Sequence, residues 1–227
     1  MNIADFEKDR AKAVDLVNSK NFTSLIAFLI FFDAILLGFM TSPKVMDALG
    51  FELFFLDRLI VALFICEMMI KIYAYGGEFF KKGWNWLDLS VVAVSIVPAT
   101  SFFVILRAFR LLRLLKYVDK ELRVTHFLQI LTAIAIYFVV LYVFSVMSVG
   151  LFGDLFVEFS SLRESIFALI QVMSFDSFSV DIIQSVMIVH PKAWIFFFSF
   201  ILVSYLIITT FIVSSVREVI KISKLED

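Results

Sequence analysis

The stretch "ILRAFRLLRLLK", residues 105–116, carries a cation at every third position of an otherwise apolar segment. The four cations are Arg107, Arg110, Arg113 and Lys116. On an α-helix this spacing winds them through about 180°, whereas on a 3₁₀-helix, with three residues per turn, they align in one row. A helix lying on a membrane surface would instead gather its cations on one face, opposite an apolar face. The spacing therefore predicts a ladder of charge along a helix axis, with about 4.5 to 6 Å between rungs.

The composition of the whole chain indicates a membrane protein. Of its 227 residues, 62% are hydrophobic, and the mean hydropathy is +0.99. Soluble domains contain roughly 45–50% apolar residues, so we expect a lipid bilayer as the solvent and binding partner. The formal net charge of −1 argues against a nucleic-acid partner. Because Cys66 is the single cysteine, we expect neither an intrachain disulfide nor a cysteine metal cluster. We also expect no cofactor.

Six apolar stretches are candidate transmembrane helices, since a bilayer core about 30 Å thick needs about 20 mostly apolar residues per helix. They lie at about residues 22–40, 52–74, 86–100, 102–117, 127–152 and 191–216. A seventh piece, 162–173, is too short to cross at about 1.5 Å per residue, so we expect a re-entrant helix there. Most clusters of Lys and Arg fall on one side of this arrangement. The positive-inside rule then predicts a multi-pass protein of the cell membrane, plasma or inner, with both termini in the cytoplasm.

A ladder of cations at membrane depth requires acidic partners, because an unpaired charge in lipid is costly. The neighbouring predicted helices supply four carboxylates: Asp33, Asp57, Glu67 and Asp88. Asp57 and Glu67 lie about 15 Å apart along one helix, so they would serve two levels of the ladder. Phe64, one turn before Glu67, is a candidate apolar plug between two aqueous crevices. Since one charge crossing the membrane potential is worth about 2.3 kcal/mol per 100 mV, this arrangement predicts a voltage sensor.

Four segments of the sequence resemble those of known proteins. They are "FICEMMIKIY" (64–73), "WNWLDLSVVAVSIVP" (84–98), "ILRAFRLLRLLK" (105–116) and "FALIQVMSFDSFSVDIIQSVMIVHPKAWIFFFSFIL" (167–202). Together they resemble the voltage-gated cation channels with six membrane helices, and most closely the bacterial voltage-gated sodium channels. The resemblance implies that the four ladder cations are gating charges. It also implies that Phe64, Glu67 and Asp88 form a charge-transfer centre, with Asp33 and Asp57 as further partners.

The predicted organisation has five parts. These are a cytoplasmic amphipathic helix at 1–20, a voltage-sensor domain at 21–117, a linker helix at 118–126, a pore domain at 127–221 and a cytoplasmic end at 222–227. A single re-entrant loop cannot surround an ion, and the sequence shows no internal repeat of the six-helix unit. A central pore therefore requires several copies of the chain, and we expect a homotetramer, as in the family.

The string "SFDSF" would line the narrowest part of this pore. Its residues are Ser174, Phe175, Asp176, Ser177 and Phe178. Four copies of Asp176 would form a ring of carboxylates that attracts cations, excludes anions and binds the permeant ion transiently. The family's bacterial sodium channels usually have TLESW at this place, and the TVGYG string of potassium channels does not occur in the sequence.

Sodium is the expected permeant ion, with calcium or non-selective cation passage as the alternative. Asp181 would add a second ring in the outer vestibule, and calcium, which takes six to eight oxygen ligands, gains from added carboxylates. Ser177, rather than a second acid, follows Asp176, which favours sodium. At the inner end of the sixth helix, a hydrophobic constriction would close the pore by dewetting. Its candidate residues are Val213, Val216 and Ile220.

Other functional classes fit the sequence less well. A voltage-controlled proton conductor would need only the first four helices. A transporter would more often show two related halves, and an enzyme would need a metal cluster, a nucleophile constellation or a glycine-rich phosphate loop. The sequence offers none of these features, so we expect no enzymatic activity. A non-conducting voltage-sensing scaffold is the distant alternative.

Overall fold

Helices and short 3₁₀ turns form the regular structure in the part of the chain that is described. The computed structural model describes residues 3–96, 108–113, 126–174 and 177–226. Over these ranges the expected all-α architecture is confirmed. The chain divides into two units, Met1–Leu114 and Leu115–Asp227.

The first unit is built from four helices and two 3₁₀ turns among the described residues. They are α1 (Ile3–Asn18), α2 (Lys20–Met40), α3 (Pro43–Tyr75), the turn Gly76–Lys81, α4 (Gly83–Ile96) and the turn Phe109–Leu112. Ser19 separates α1 from α2 and caps α2, because its Oγ accepts a hydrogen bond from the backbone N–H of Phe22 at 3.2 Å. α1 packs against α3, and Arg10 Nε donates to the Ala74 carbonyl at 3.1 Å. This contact places a cation at the end of α3, where the helix dipole favours positive charge.

The start of α3 differs from the sequence-based expectation of a helix at 52–74. α3 already begins at Pro43, because proline suits the first turn of a helix, where its missing N–H is not needed. The helix is bent at Leu49, whose φ of −132° and ψ of 19° are not helical. It ends at Tyr75, and the next residue, Gly76, has a φ of 52°, a left-handed conformation that favours glycine. The predicted span therefore lies entirely after the bend.

The second unit contains four helices and one 3₁₀ turn among the described residues. They are α5 (His126–Phe152), the turn Val157–Phe159, α6 (Leu162–Ser174), α7 (Ser177–Val189) and α8 (Ala193–Glu226). Phe152 lies at the centre of an aromatic cluster, with ring centroids 5.3 Å from Phe196 and 5.8 Å from Phe197. Gly153 follows directly, and a Cβ there would lie 2.5 Å from the Val149 carbonyl oxygen. A glycine is therefore required where the chain turns out of α5.

Several of these helices are suited to a bilayer by length and composition. Within the described ranges, three qualify as spans, at Lys20–Met40, Leu131–Phe152 and Ala193–Val213. α6 and α7 are bent by 114° relative to each other and would make a fourth span or a re-entrant loop. α3 is long enough but carries too many charges, and the described part of α4 is 14 residues long. The chain is accordingly a multi-pass membrane protein, although the expected count of six spans is not reached by this criterion.

Candidate functional site

The ladder is described over residues 108–113, where it contains the 3₁₀ turn Phe109–Leu112. With three residues per turn, Arg110 and Arg113 lie on the same side of this segment. Both side chains are buried in the first unit, with Arg110 0% and Arg113 2% exposed. Arg107 and Lys116, the two remaining predicted gating charges, lie outside the described residues.

Arg110 lies between two carboxylates from different helices, and we call this group the Arg110 cluster. Its Nη1 donates to Asp33 Oδ1 of α2 at 3.0 Å, and its Nη2 donates to Asp57 Oδ1 of α3 at 2.9 Å. Both acids are completely buried. Hydrogen bonds between ionised groups at such distances are strong, and removing one member of a buried pair typically costs about 3–5 kcal/mol. The Arg110 cluster therefore fixes the ladder against α2 and α3.

Arg113 occupies a second group of acids, and we call this group the Arg113 cluster. Its Nη1 lies 3.6 Å from Glu67 Oε2 of α3, and its Nε lies 3.5 Å from Asp88 Oδ1 of α4. Its Nη2 also donates to the Asp88 carbonyl at 3.0 Å. The guanidinium carbon lies 4.6 Å from the centre of the buried Phe64 ring, which allows a cation–π interaction. The structure thus brings Phe64, Glu67 and Asp88 together around one rung.

Lys71 completes the Arg113 cluster, and it was not among the site residues predicted from the sequence. Its Nζ donates to Glu67 and lies 3.3 Å from Asp88 Oδ2. Lys71 is 8% exposed and follows Glu67 by one helical turn. The Glu–Lys spacing of four residues, which favours an ion pair on a helix, was the signal that could have found it.

The two clusters together form a chain of alternating charge within the first unit. Each rung has two carboxylates of its own, so buried charge is paired at both levels. Asp57 and Glu67 contact different arginines, consistent with two levels along α3. Because the acids belong to α2, α3 and α4, a displaced ladder segment would exchange one set of partners for the next without leaving a bare charge in lipid.

The predicted filter residues fall around the bend between α6 and α7 of the second unit. Ser174 ends α6, is exposed, and its Oγ donates to the Gln171 carbonyl at 2.7 Å. Ser177 and Phe178 are in the first turn of α7, and the exposed Asp181 follows one turn later. The two remaining filter positions, Phe175 and Asp176, lie outside the described residues.

The predicted gate residues all belong to α8. Val213 and Val216 are exposed in the single chain, at 42% and 52%. Ile220 lies further along the same helix. Residues 118–125 of the predicted linker are outside the described ranges, and His126, its last residue, begins α5.

Comparison with known proteins gives matches to channel subunits. The chain is 29% identical over 97 residues to sodium channel protein type 4 subunit alpha B of Takifugu rubripes, covering 40% of this chain and 6% of the relative. It is 30% identical over 125 residues to muscle calcium channel subunit alpha-1 of Musca domestica, covering 48% and 7%. The chain therefore spans less than a tenth of the length of these relatives.

Two further comparisons concern the chain at nearly full length. A solved structure titled "NaChBac in lipid nanodisc" aligns at 24% identity and a TM-score of 0.45, covering 92% of this chain and 98% of that chain. The family described as Ion transport protein matches residues 19–221. The resemblance to voltage-gated sodium channels found in the sequence is confirmed by this family match together with the similarity to a sodium channel subunit. Since the family match covers most of its length, the chain belongs to the ion transport protein family.

Proposed function

We propose that the chain is one subunit of a voltage-gated cation channel that opens on depolarisation and passes sodium. The observation that carries the proposal is the burial of Arg110 and Arg113, each paired with two carboxylates of other helices. Moving one elementary charge across the membrane changes its electrical energy by about 2.3 kcal/mol for each 100 mV of membrane potential. Charges that are buried, paired and aligned along one segment respond to that potential as a group.

In this proposal, the ladder cations Arg107, Arg110, Arg113 and Lys116 are the gating charges. The Arg113 cluster is the charge-transfer centre, in which the Phe64 ring separates two aqueous crevices. The acids of the Arg110 cluster stabilise rungs that have passed outward beyond Phe64. This assignment follows from the chain direction, since Asp57 precedes Phe64 on a helix that would run from outside to inside.

The proposed assembly is a homotetramer with six membrane helices in each subunit and both termini in the cytoplasm. The bent pair α6 and α7 supports a re-entrant loop that brings the filter string to the pore axis. There the four copies of Asp176 would attract cations, with Asp181 as a second ring. Val213, Val216 and Ile220 would close the inner end, and exposure of the two valines in the single chain leaves them available to neighbouring subunits.

Calcium or non-selective cation passage is the second candidate function. It is supported by the similarity to a muscle calcium channel subunit and by the exposed Asp181 beside the filter string. The similarity to a sodium channel subunit supports sodium. A non-conducting voltage-sensing protein is the remaining alternative.

Patch-clamp recording from cells that express the full chain tests the proposal. With Na⁺ as the only external permeant cation, we expect depolarising steps to open an inward current that is lost when Na⁺ is replaced. A current carried by Ca²⁺ as the only external cation would favour the second candidate. A reversal potential that follows chloride or potassium would contradict both, and charge movement without ionic current would favour the non-conducting protein.

A filter variant sharpens the same experiment. Asp176→Asn removes the proposed ring of carboxylates, so we expect cation conductance and selectivity to fall steeply. Asp154→Asn is the matched control, since Asp154 is exposed in the same unit but precedes α6. If both variants conduct as the wild type does, the proposed filter is wrong.

A further inference from the structure

Lys71 shares both carboxylates of the Arg113 cluster with the ladder. Its ammonium group donates to Glu67 and lies 3.3 Å from Asp88, the two acids that also face Arg113. Burying an ammonium group is costly unless it is paired. These contacts stabilise the buried lysine. They use Glu67 Oε1 and Asp88 Oδ2, whereas Arg113 faces the other oxygen of each carboxylate, so Lys71 and the ladder share the negative charge of both acids.

The two clusters differ in how closely they bind their arginines. Arg110 lies 3.0 Å and 2.9 Å from its two carboxylates. Arg113 lies 3.6 Å and 3.5 Å from the carboxylate oxygens of Glu67 and Asp88, and its shorter hydrogen bond, at 3.0 Å, goes to the Asp88 backbone carbonyl. The longer distances occur at the cluster in which Lys71 makes the closer contacts. Lys71 and the ladder therefore share the charge of the same two carboxylates, each through its own oxygen.

Lys71 differs from Arg113 in that it cannot travel with the ladder. It belongs to α3, one turn from Glu67, whereas Arg113 belongs to a separate segment. Building on the proposed function, we propose that Lys71 is a fixed counter-cation that partly neutralises Glu67 and Asp88, so that successive rungs enter and leave the Arg113 cluster rapidly. Lys71 is thus a positioning residue that sets the speed of the sensor.

In this proposal, the fixed charge of the Arg113 cluster controls how fast the ladder moves. Glu67, Asp88 and Lys71 together carry a formal charge of −1 at pH 7. Lys71→Gln makes this charge more negative by one unit, and Glu67→Gln makes it less negative by one unit. The double variant with both changes restores the wild-type value. Lys71→Arg preserves the charge and still offers hydrogen-bond donors.

Gating currents recorded from the full chain test this inference. We expect Lys71→Gln to slow both outward and return charge movement roughly tenfold, because each rung is held more strongly, and Glu67→Gln to accelerate it. The double variant should return to near the wild-type rate, and Lys71→Arg should stay within about twofold of it. Lys81→Gln, at an exposed lysine in the turn after α3, is the matched control and should have no effect.

The outcomes separate this inference from the proposed function. Wild-type protein that moves no charge would overturn the proposed function. Normal charge movement with the double variant as fast as Glu67→Gln alone would overturn the role of Lys71, and this comparison does not require Lys71→Gln to fold. Equal slowing in Lys71→Arg and Lys71→Gln would indicate a purely steric role and would also overturn it.

Discussion

At the residue scale, the two buried arginines of the ladder are paired in different ways. Arg110 makes short charged hydrogen bonds to Asp33 and Asp57, whereas Arg113 lies in a looser group around Phe64. In the proposed orientation, the acids of the Arg110 cluster lie on the outer side of Phe64. They would therefore stabilise the outward, activated position of the ladder.

Neutralising either acid of the Arg110 cluster should make activation harder. Asp33→Asn and Asp57→Asn each keep an oxygen acceptor but remove a charge, which weakens a charged hydrogen bond by about 1–3 kcal/mol. If about three charges move per sensor, 2 kcal/mol corresponds to about 30 mV. We expect the charge–voltage curve to shift to more positive voltages by about this amount.

Asp47→Asn provides the control for this shift. Asp47 is exposed on α3 before the bend at Leu49, so its charge is not part of either cluster. The charge–voltage curve of this variant should match that of the wild type. A shift toward negative voltages in Asp33→Asn or Asp57→Asn would contradict the outer position of the Arg110 cluster.

The sequence predicted which residue types meet in the first unit, but not how they pair. A cation at every third position and carboxylates in apolar helices are each costly in lipid, so their contact could be inferred. The level at which each rung lies depends on the position of the ladder along its axis, which spacing does not encode. Lys71 was missed, because its contact with Asp88 joins two different helices and only its spacing to Glu67 can be read from the sequence.

At the scale of the helices, α1 is attached to the end of α3 by specific contacts. Arg10 donates to the Ala74 carbonyl, and the Tyr75 hydroxyl donates to Asn18 Oδ1 at 2.9 Å. A charged donor at the last carbonyls of a helix satisfies groups that have no partner within the helix. α1 would thus hold the inner end of α3, and with it Lys71, in place.

Arg10→Ala should loosen α1 from α3. Loss of a hydrogen bond from a charged donor costs about 1.5–3 kcal/mol, which corresponds to roughly tenfold to hundredfold faster local opening. Hydrogen–deuterium exchange of the full chain in lipid nanodiscs should show this acceleration in the peptides that cover α1. Lys12→Ala is the control, because exposed Lys12 pairs only with Asp9 on α1 itself among the described residues. Equal protection of α1 in the two variants would contradict the role of Arg10.

Helix positions were largely predictable from apolar runs and their interruptions. The predicted re-entrant piece at 162–173 corresponds to α6 at Leu162–Ser174, whereas α3 begins at Pro43 rather than at the predicted residue 52. The bend at Leu49 was missed, because neither leucine nor its neighbours give a strong breaking signal beyond Gly50. Tertiary packing decides such a bend, and hydropathy does not report it.

At the scale of the whole molecule, the first unit contains the paired arginines and the second contains the bent helices around the filter string. The match to the ion transport protein family covers residues 19–221, so it includes residues of both units. The expected homotetramer was inferred from the single re-entrant loop and from the absence of an internal repeat in the sequence. Neither the sequence of one chain nor the fold of its two units encodes the number of copies directly.

If the ladder senses voltage, its cations determine the total gating charge per channel, which is measured without permeant ions. Arg110→Gln combined with Arg113→Gln should reduce that charge to roughly half, because two of the four ladder cations are removed. Arg58→Gln is the control, since Arg58 is a half-buried arginine on α3 that contacts the Phe54 ring and is not part of the ladder. Its total gating charge should equal that of the wild type. An unchanged gating charge in the Arg110 and Arg113 double variant would contradict the account.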